Sequence, residues 1–64
     1  MKHITLKDLT PLELEELRFG VESLGIYTEV EKQFIYENLQ RGDDGLVYFY
    51  SLGDGSRLVP LYTN

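Results

Sequence analysis

The chain has 64 residues and a mass of 7.4 kDa, which is enough for one small domain over residues 1–64 and leaves little room for the scaffold that most enzymes need. It contains no cysteine, so disulfides and thiolate metal sites are excluded. Eleven acidic residues against six basic ones give a net charge of −5, which disfavours direct binding to nucleic acid or to an anionic membrane surface.

The apolar content predicts a folded chain that does not cross a membrane. Apolar residues make up 42% of the sequence, a proportion typical of globular domains. No run approaches the roughly 18–20 apolar residues of a membrane span, and residues 1–8 lack the apolar segment of a signal peptide. We therefore expect a soluble, cytoplasmic protein.

The segment that begins at Thr10 predicts the start of a first helix. Thr10 and Glu13 have the spacing of a capping box, and Pro11 suits the first helical position, where an N–H has no partner within the helix. Gly25 is expected to end this helix in the left-handed conformation, which gives a helix over about 11–24. Gly20 interrupts it, and we expect another helix to pack closely there. The predicted buried stripe consists of Leu14, Leu17, Val21 and Leu24.

A second capping box, formed by Thr28 and Glu31, opens a helix over about 29–41 that is expected to end at Gly42. The short connection between the two helices predicts a helical hairpin. The wide apolar arc of the second helix predicts that it lies between the first helix and a sheet.

The C-terminal part of the chain predicts a β-hairpin over about 46–63. Two runs rich in aromatic and β-branched residues flank an Asp54-Gly55 turn signal. Pro60 lacks an N–H donor, so the last strand should lie at a sheet edge, and the 46–52 strand should pair on its other side with a short strand near residues 2–6. The expected fold is α+β, ordered β-α-α-β-β, with the helical hairpin packed on a two- to three-stranded antiparallel sheet.

Residues suited to catalysis or metal binding are few. His3 is the only histidine and is expected to be a solvated residue at a strand end. Asp43, Asp44 and Asp54 lack the spacing of a calcium loop, and the Gly-x-Gly at 53–55 precedes no helix that could help to hold a phosphate. We therefore expect no catalytic residue, no metal site and no cofactor.

A two-residue turn at Asp54-Gly55 would pair Tyr50 with Val59 and leave both sheet faces apolar. Two helices cover only one face, so the other predicts a contact surface for a partner protein or a second copy. A helix that wraps further, or a four-residue loop that shifts the register, would explain the pattern without a function. Besides Pro60, this face carries the four candidate partner-binding residues of the sheet, which are Val47, Phe49, Leu58 and Tyr62.

The first helix carries a second candidate surface. Leu12 and Phe19 project away from the buried stripe, and residues 13–31 hold six acidic residues against Arg18 alone. The surface predicts docking of a basic partner; alternatively it is a solvated helix face on which Arg18 pairs with two of the glutamates. The acidic residues around the two apolar ones are Glu15, Glu16 and Glu22.

The predicted function is a non-enzymatic protein-binding module, a regulator or inhibitor that occupies a partner protein's surface. The chain's size, acidity and lack of cysteine resemble those of small inhibitors encoded by phages and mobile elements, including anti-CRISPR and anti-restriction proteins. That resemblance implies an acidic nucleic-acid mimic that blocks a basic DNA- or RNA-binding enzyme as one alternative. A structural homo-oligomer, such as a virion assembly component, is another.

Overall fold

The computed structural model describes residues 1–23 and 25–62. It confirms the predicted α+β fold, in which two helices pack on an antiparallel sheet. Two short 3-10 turns, at Leu6–Asp8 and Leu52–Asp54, accompany the regular elements. These elements, in chain order, are β1 (Lys2–His3), α1 (Pro11–Glu22), α2 (Glu29–Glu37), β2 (Gln40–Arg41), β3 (Val47–Ser51) and β4 (Arg57–Pro60).

Both predicted capping boxes are present and fix where the helices begin. At α1 the Glu13 N–H donates to the Thr10 hydroxyl at 3.1 Å, and the Thr10 N–H donates to the Glu13 carboxylate at 2.9 Å. At α2 the corresponding hydrogen bonds between Thr28 and Glu31 measure 3.2 and 2.8 Å. Each box gives a partner to an N–H group that the helix itself leaves unpaired.

Both helices end earlier than predicted. The first helix ends at Glu22, and predicted position 24 lies outside the described residues. Gly25 has the expected left-handed φ of +65°. The second helix ends at Glu37 and not near 41, because the Asn38 side chain donates to the Phe34 carbonyl and closes the last turn.

Residues 40–41, predicted as helix, form β2 instead. The Ile4 N–H donates to the Leu39 carbonyl at 3.0 Å, and Leu39 is fully buried. Gly42 therefore ends no helix. It lies in the turn from β2 to β3, where its N–H donates to the Leu46 carbonyl at 2.9 Å. Pairing with strands on both sides outweighs the helical preference of this short segment.

The four strands form one antiparallel sheet in the order β1-β2-β3-β4. β3 is internal, as predicted, but its second neighbour is β2 and not the N-terminal strand. Pro60 lies on the edge strand β4, as predicted. The Leu61 N–H donates to the Val47 carbonyl at 2.7 Å, so by the alternation of an antiparallel pair the backbone nitrogen of Pro60 faces the open edge.

The predicted register of the β3–β4 hairpin is wrong by one residue. Phe49 pairs with Val59, and Tyr50 pairs with Leu58. The two strands are joined through the 3-10 turn and a left-handed Gly55 (φ 81°), which make a longer connection than the predicted two-residue turn. A shift of one residue moves every side chain of the strand to the opposite face.

The core lies between the helices and the inner face of the sheet. Val47 and Leu61 contribute from the sheet, and Phe49 and Leu52 pack against the core from its margin. The predicted close packing of another helix at Gly20 is wrong, because among the described residues no other element comes within 4 Å of the position that a Cβ would take there. The buried core residues are Ile4, Leu17, Val21, Ile35, Leu39, Val47 and Leu61.

Candidate functional site

The outer face of the sheet carries an uncharged group of aromatic and apolar side chains. Because Val47 and Leu61 point into the core, their neighbours along each strand point away from it. Tyr48 lies opposite Pro60, and Tyr50 lies opposite Leu58. We call this surface the aromatic face; it consists of Phe34, Tyr48, Tyr50, Leu58, Pro60 and Tyr62.

Helix α2 borders this face without covering it. The ring centroids of Phe34 and Tyr50 are 5.5 Å apart with a tilt of 53°, a favourable geometry for an aromatic pair. Phe34 is itself exposed, and Tyr62 is 71% exposed. The aromatic face is therefore open to an outside molecule at both Phe34 and Tyr62.

Tyr48 is held in place by Asp44. The Tyr48 hydroxyl donates to the Asp44 carboxylate at 2.6 Å, and the Leu46 N–H donates to the same carboxylate at 3.0 Å. The hydrogen bond from Tyr48 lowers the pKa of Asp44, and the same bond raises the pKa of Tyr48. Asp44 thus remains ionised and Tyr48 remains a donor at neutral pH, which fixes one ring of the aromatic face.

Two residues predicted for the outer contact surface lie on the inner face of the sheet instead, because the register differs from the predicted one by one residue. Val47 is 1% exposed and belongs to the core, and Phe49 is half-buried against the core. Neither can form part of an outer contact surface. Leu58 and Tyr62 do lie on the aromatic face. Sequence reasoning missed Tyr48 and Tyr50 as outer-face residues. A prediction of a longer loop over 52–56 would have given the observed register and so placed both tyrosines on this face.

The outer side of α1 exposes the two predicted apolar residues. Phe19 is 70% exposed and Leu12 is 46% exposed. The side chains of Glu15 and Glu16 make no ion pair with any residue in 1–23 or 25–62, and Arg18 pairs with neither Glu15 nor Glu22 in that part of the chain.

Glu22 differs from these two glutamates because side chains of α2 pair with its carboxylate. It accepts a hydrogen bond from the Tyr36 hydroxyl at 3.0 Å and an ion pair from Lys32 at 3.4 Å. The hydrogen bond from Tyr36, followed by that from Lys32, lowers the pKa of Glu22. Glu22 therefore fastens α1 to α2 and is a poor candidate for contact with a partner.

An open groove of about 880 Å³ lies between residues 3–7 and α2. Its polar groups bind one another: Lys32 also pairs with Glu29 at 3.5 Å, and the His3 Nε2 donates to the Glu37 carbonyl at 3.0 Å. His3 therefore ties β1 to the end of α2. Because these polar side chains already bind one another or the backbone, they are less available to bind a ligand.

Within 1–23 and 25–62, no three His, Asp or Glu side chains are grouped so that they could hold a metal ion. In the same part of the chain, no helix has both the length and the apolar character needed to cross a bilayer.

No known protein family matches the chain, and no curated protein or solved structure is significantly similar to it.

Proposed function

We propose that this protein is a non-enzymatic protein-binding module, a small regulator or inhibitor that docks a partner protein on its aromatic face. The observation that carries the proposal is that five aromatic and apolar side chains lie on the outer side of β3, β4 and the residues after β4, bordered by Phe34 of α2, and that Phe34 and Tyr62 are exposed there. Apolar patches of this kind on small proteins mark contact surfaces.

The composition of the face suits recognition of a protein. The centres of protein interfaces are depleted in charge and enriched in tyrosine and other aromatic residues. Here three of the six residues are tyrosines, and none of the six is charged. Tyrosine supplies a large contact area at a small cost in conformational entropy.

At the β4 edge of the sheet, Pro60 favours contact across the face over strand addition. Pro60 offers no N–H at the open edge of β4, and proline on an edge strand blocks pairing with another chain. A partner is therefore expected to lie flat on Tyr50, Leu58 and Tyr62.

The net charge favours a different protein over a second copy. Each chain carries −5, and a net charge far from zero opposes self-association. A homo-oligomer that buries the aromatic face is the alternative that the mass in solution would reveal. We place the action of the module in the cytoplasm, where a chain without cysteine needs no oxidising environment.

Nucleic-acid mimicry is less well supported by the electrostatics. A mimic needs free carboxylates in place of phosphates, yet Glu13 pairs with Arg41, and both Glu22 and Glu29 pair with Lys32. These ion pairs engage three of the six acidic residues between positions 13 and 31, which leaves fewer free carboxylates to stand in place of phosphates.

The test is affinity capture from a lysate of the source cells with the immobilised protein and matched variants. Tyr62→Ser and Tyr50→Ser remove rings from the aromatic face. Ile26→Ser is the control, because Ile26 is 59% exposed, comparable to Tyr62 at 71%, and lies in the connection before α2 and not on the elements that carry the aromatic face. Circular dichroism would verify that each variant is folded.

We expect a protein captured by the wild type and by Ile26→Ser to be depleted at least about tenfold with either tyrosine variant, the effect of losing one hot-spot side chain. Equal capture by all the folded variants would contradict the proposal.

A further inference from the structure

A second, separate surface lies on the outer side of α1. Leu12, Glu15, Glu16 and Phe19 have the spacing i, i+3, i+4 and i+7, which places all four on one side of a helix. The buried side of the same helix is formed by Leu17 and Val21. We call these four residues the α1 strip. At 1.5 Å per residue its two apolar ends are about 10 Å apart along the axis.

The negative charge of the α1 strip is not compensated within the described chain. Glu13 is paired by Arg41 and Glu22 by Lys32. Glu15 and Glu16 have no such partner among residues 1–23 and 25–62. The strip therefore offers two carboxylates between two exposed apolar side chains.

Gly20 adds a feature that the fold itself does not require. It lies near the C-terminal end of α1, within the helix, where glycine is less favourable than alanine, and it is not among the glycines with a positive φ. Apart from its chain neighbours and the backbone of α1 itself, no atom of residues 1–23 and 25–62 lies within 4 Å of the position that a Cβ would take. Gly20 is thus next to Phe19, and its missing side chain leaves the helix backbone accessible from outside.

We propose that the α1 strip docks an amphipathic helix of a partner protein, one whose apolar side chains pack on Leu12 and Phe19 and whose Lys or Arg residues reach Glu15 and Glu16. Charge complementarity selects a basic helix. A second copy is unsuitable because a two-fold pairing of the strip would bring Glu15 and Glu16 against their own equivalents. The strip does not overlap the aromatic face, so this inference stands apart from the proposed function.

The probe is a synthetic helical peptide of about 18 residues with leucines at i, i+3/i+4 and i+7 positions flanked by lysines. A matched peptide carries glutamate in place of every lysine. Titration of the labelled protein, followed by NMR chemical shifts, gives both the affinity and the location of binding. We expect the lysine peptide to shift Leu12, Glu15, Glu16, Phe19 and Gly20, and the glutamate peptide to shift none of them.

Variants separate docking on the α1 strip from general attraction to an acidic protein. Phe19→Ser should weaken binding at least about tenfold, the effect of losing a buried aromatic contact. Glu31→Gln removes the same charge as Glu15→Gln but lies on α2. We expect a several-fold loss for Glu15→Gln and no change for Glu31→Gln or Tyr62→Ser.

Three results would overturn the proposal: absence of binding, equal losses for Glu15→Gln and Glu31→Gln, or shifts centred on the aromatic face. Because Tyr62→Ser leaves the α1 strip intact, failure here is distinguishable from failure of the proposed function.

Gly20→Ala tests the close approach of the docked helix. The substitution should raise the melting temperature by a few degrees, since alanine is the better helix former, while it weakens peptide binding about threefold. A stabilised Gly20→Ala variant with unchanged affinity would contradict a close approach at this position.

Discussion

The side chain of Arg41 joins β2 to the start of α1. Its guanidinium donates to both carboxylate oxygens of Glu13, each at 3.1 Å, and to the backbone carbonyls of Gly45 at 2.8 Å and Asp8 at 3.2 Å. Glu13 also accepts the Thr10 N–H of the capping box. The substitution Arg41→Met keeps the apolar stem of the side chain and removes all of the hydrogen bonds of the guanidinium.

The expected loss of stability follows from how well these groups are shielded from water. Hydrogen bonds to charged groups contribute about 1.5–3 kcal/mol each when buried, but the side chains of Arg41 and Glu13 are 30% and 14% exposed, so water restores part of that energy. We expect a loss of about 2 kcal/mol for Arg41→Met. In a small domain with about 3–5 kcal/mol of stability and a urea dependence of about 1 kcal/mol/M, the urea midpoint should fall by about 2 M.

Urea unfolding followed by far-UV circular dichroism measures this loss. Arg57→Met is the matched control, because Arg57 is exposed on β4 and makes no ion pair with the described residues. We expect the control to lose less than about 0.5 kcal/mol. Equal midpoints for the two variants would refute the idea that Arg41 fastens the helix to the sheet.

The same contact predicts how stability depends on pH. The hydrogen bond from Arg41 lowers the pKa of Glu13 below its ordinary value of 4.5. The stabilisation is therefore present above the pKa of the unfolded chain and is lost as the pH falls through the lower pKa of the folded state. Arg41→Met should flatten this acid limb, and wild-type-like acid sensitivity in the variant would contradict the assignment.

Three further substitutions test other parts of the fold. Gly42→Ala should destabilise the protein by roughly 1–3 kcal/mol in thermal unfolding, because the new Cβ would lie 2.6 Å from the Tyr48 ring; an unchanged melting temperature would contradict this. The pKa of Tyr36 is raised to about 12 by burial and by its bond to Glu22, so stability should fall as the pH rises from 10 towards 12. Tyr36→Phe should reduce that fall, as urea unfolding in alkaline buffers would show, and the same fall in both proteins would refute it. Leu17→Ala should cost about 2–5 kcal/mol and leave little folded protein by circular dichroism, since Leu17 is fully buried; a native spectrum and melting curve would contradict its place in the core.

Local features of the sequence predicted the helix starts and the exposed side of α1. A capping box depends on two residues three apart, so Thr10 with Glu13 and Thr28 with Glu31 are readable without the rest of the chain. The outward position of Phe19 follows from helical periodicity in the same way.

Two features that depend on pairing between distant residues were not predicted. Residues 40–41 form a strand only because β1 and β3 lie on either side. The neutralisation of Glu22 requires Lys32 and Tyr36 from the next helix. Neither is visible in a local pattern of residues, because the interacting groups come together only in the folded chain.

The candidate site shows how much depends on one loop. The aromatic composition of the hairpin predicted a contact surface, and Leu58 and Tyr62 lie on it. The turn chemistry of residues 53–56 was compatible with more than one loop length, and a slip of one residue exchanged Val47 and Phe49 for Tyr48 and Tyr50.

The mass in solution, measured by sedimentation equilibrium over a wide range of protein concentrations, tests most directly whether the aromatic face is free for another protein. We expect a monomer of 7.4 kDa at every concentration, for the wild type and for Tyr62→Ser alike. A stable dimer that Tyr62→Ser returns to a monomer would show that a second copy already covers the aromatic face, and it would contradict the proposed role in binding a different protein.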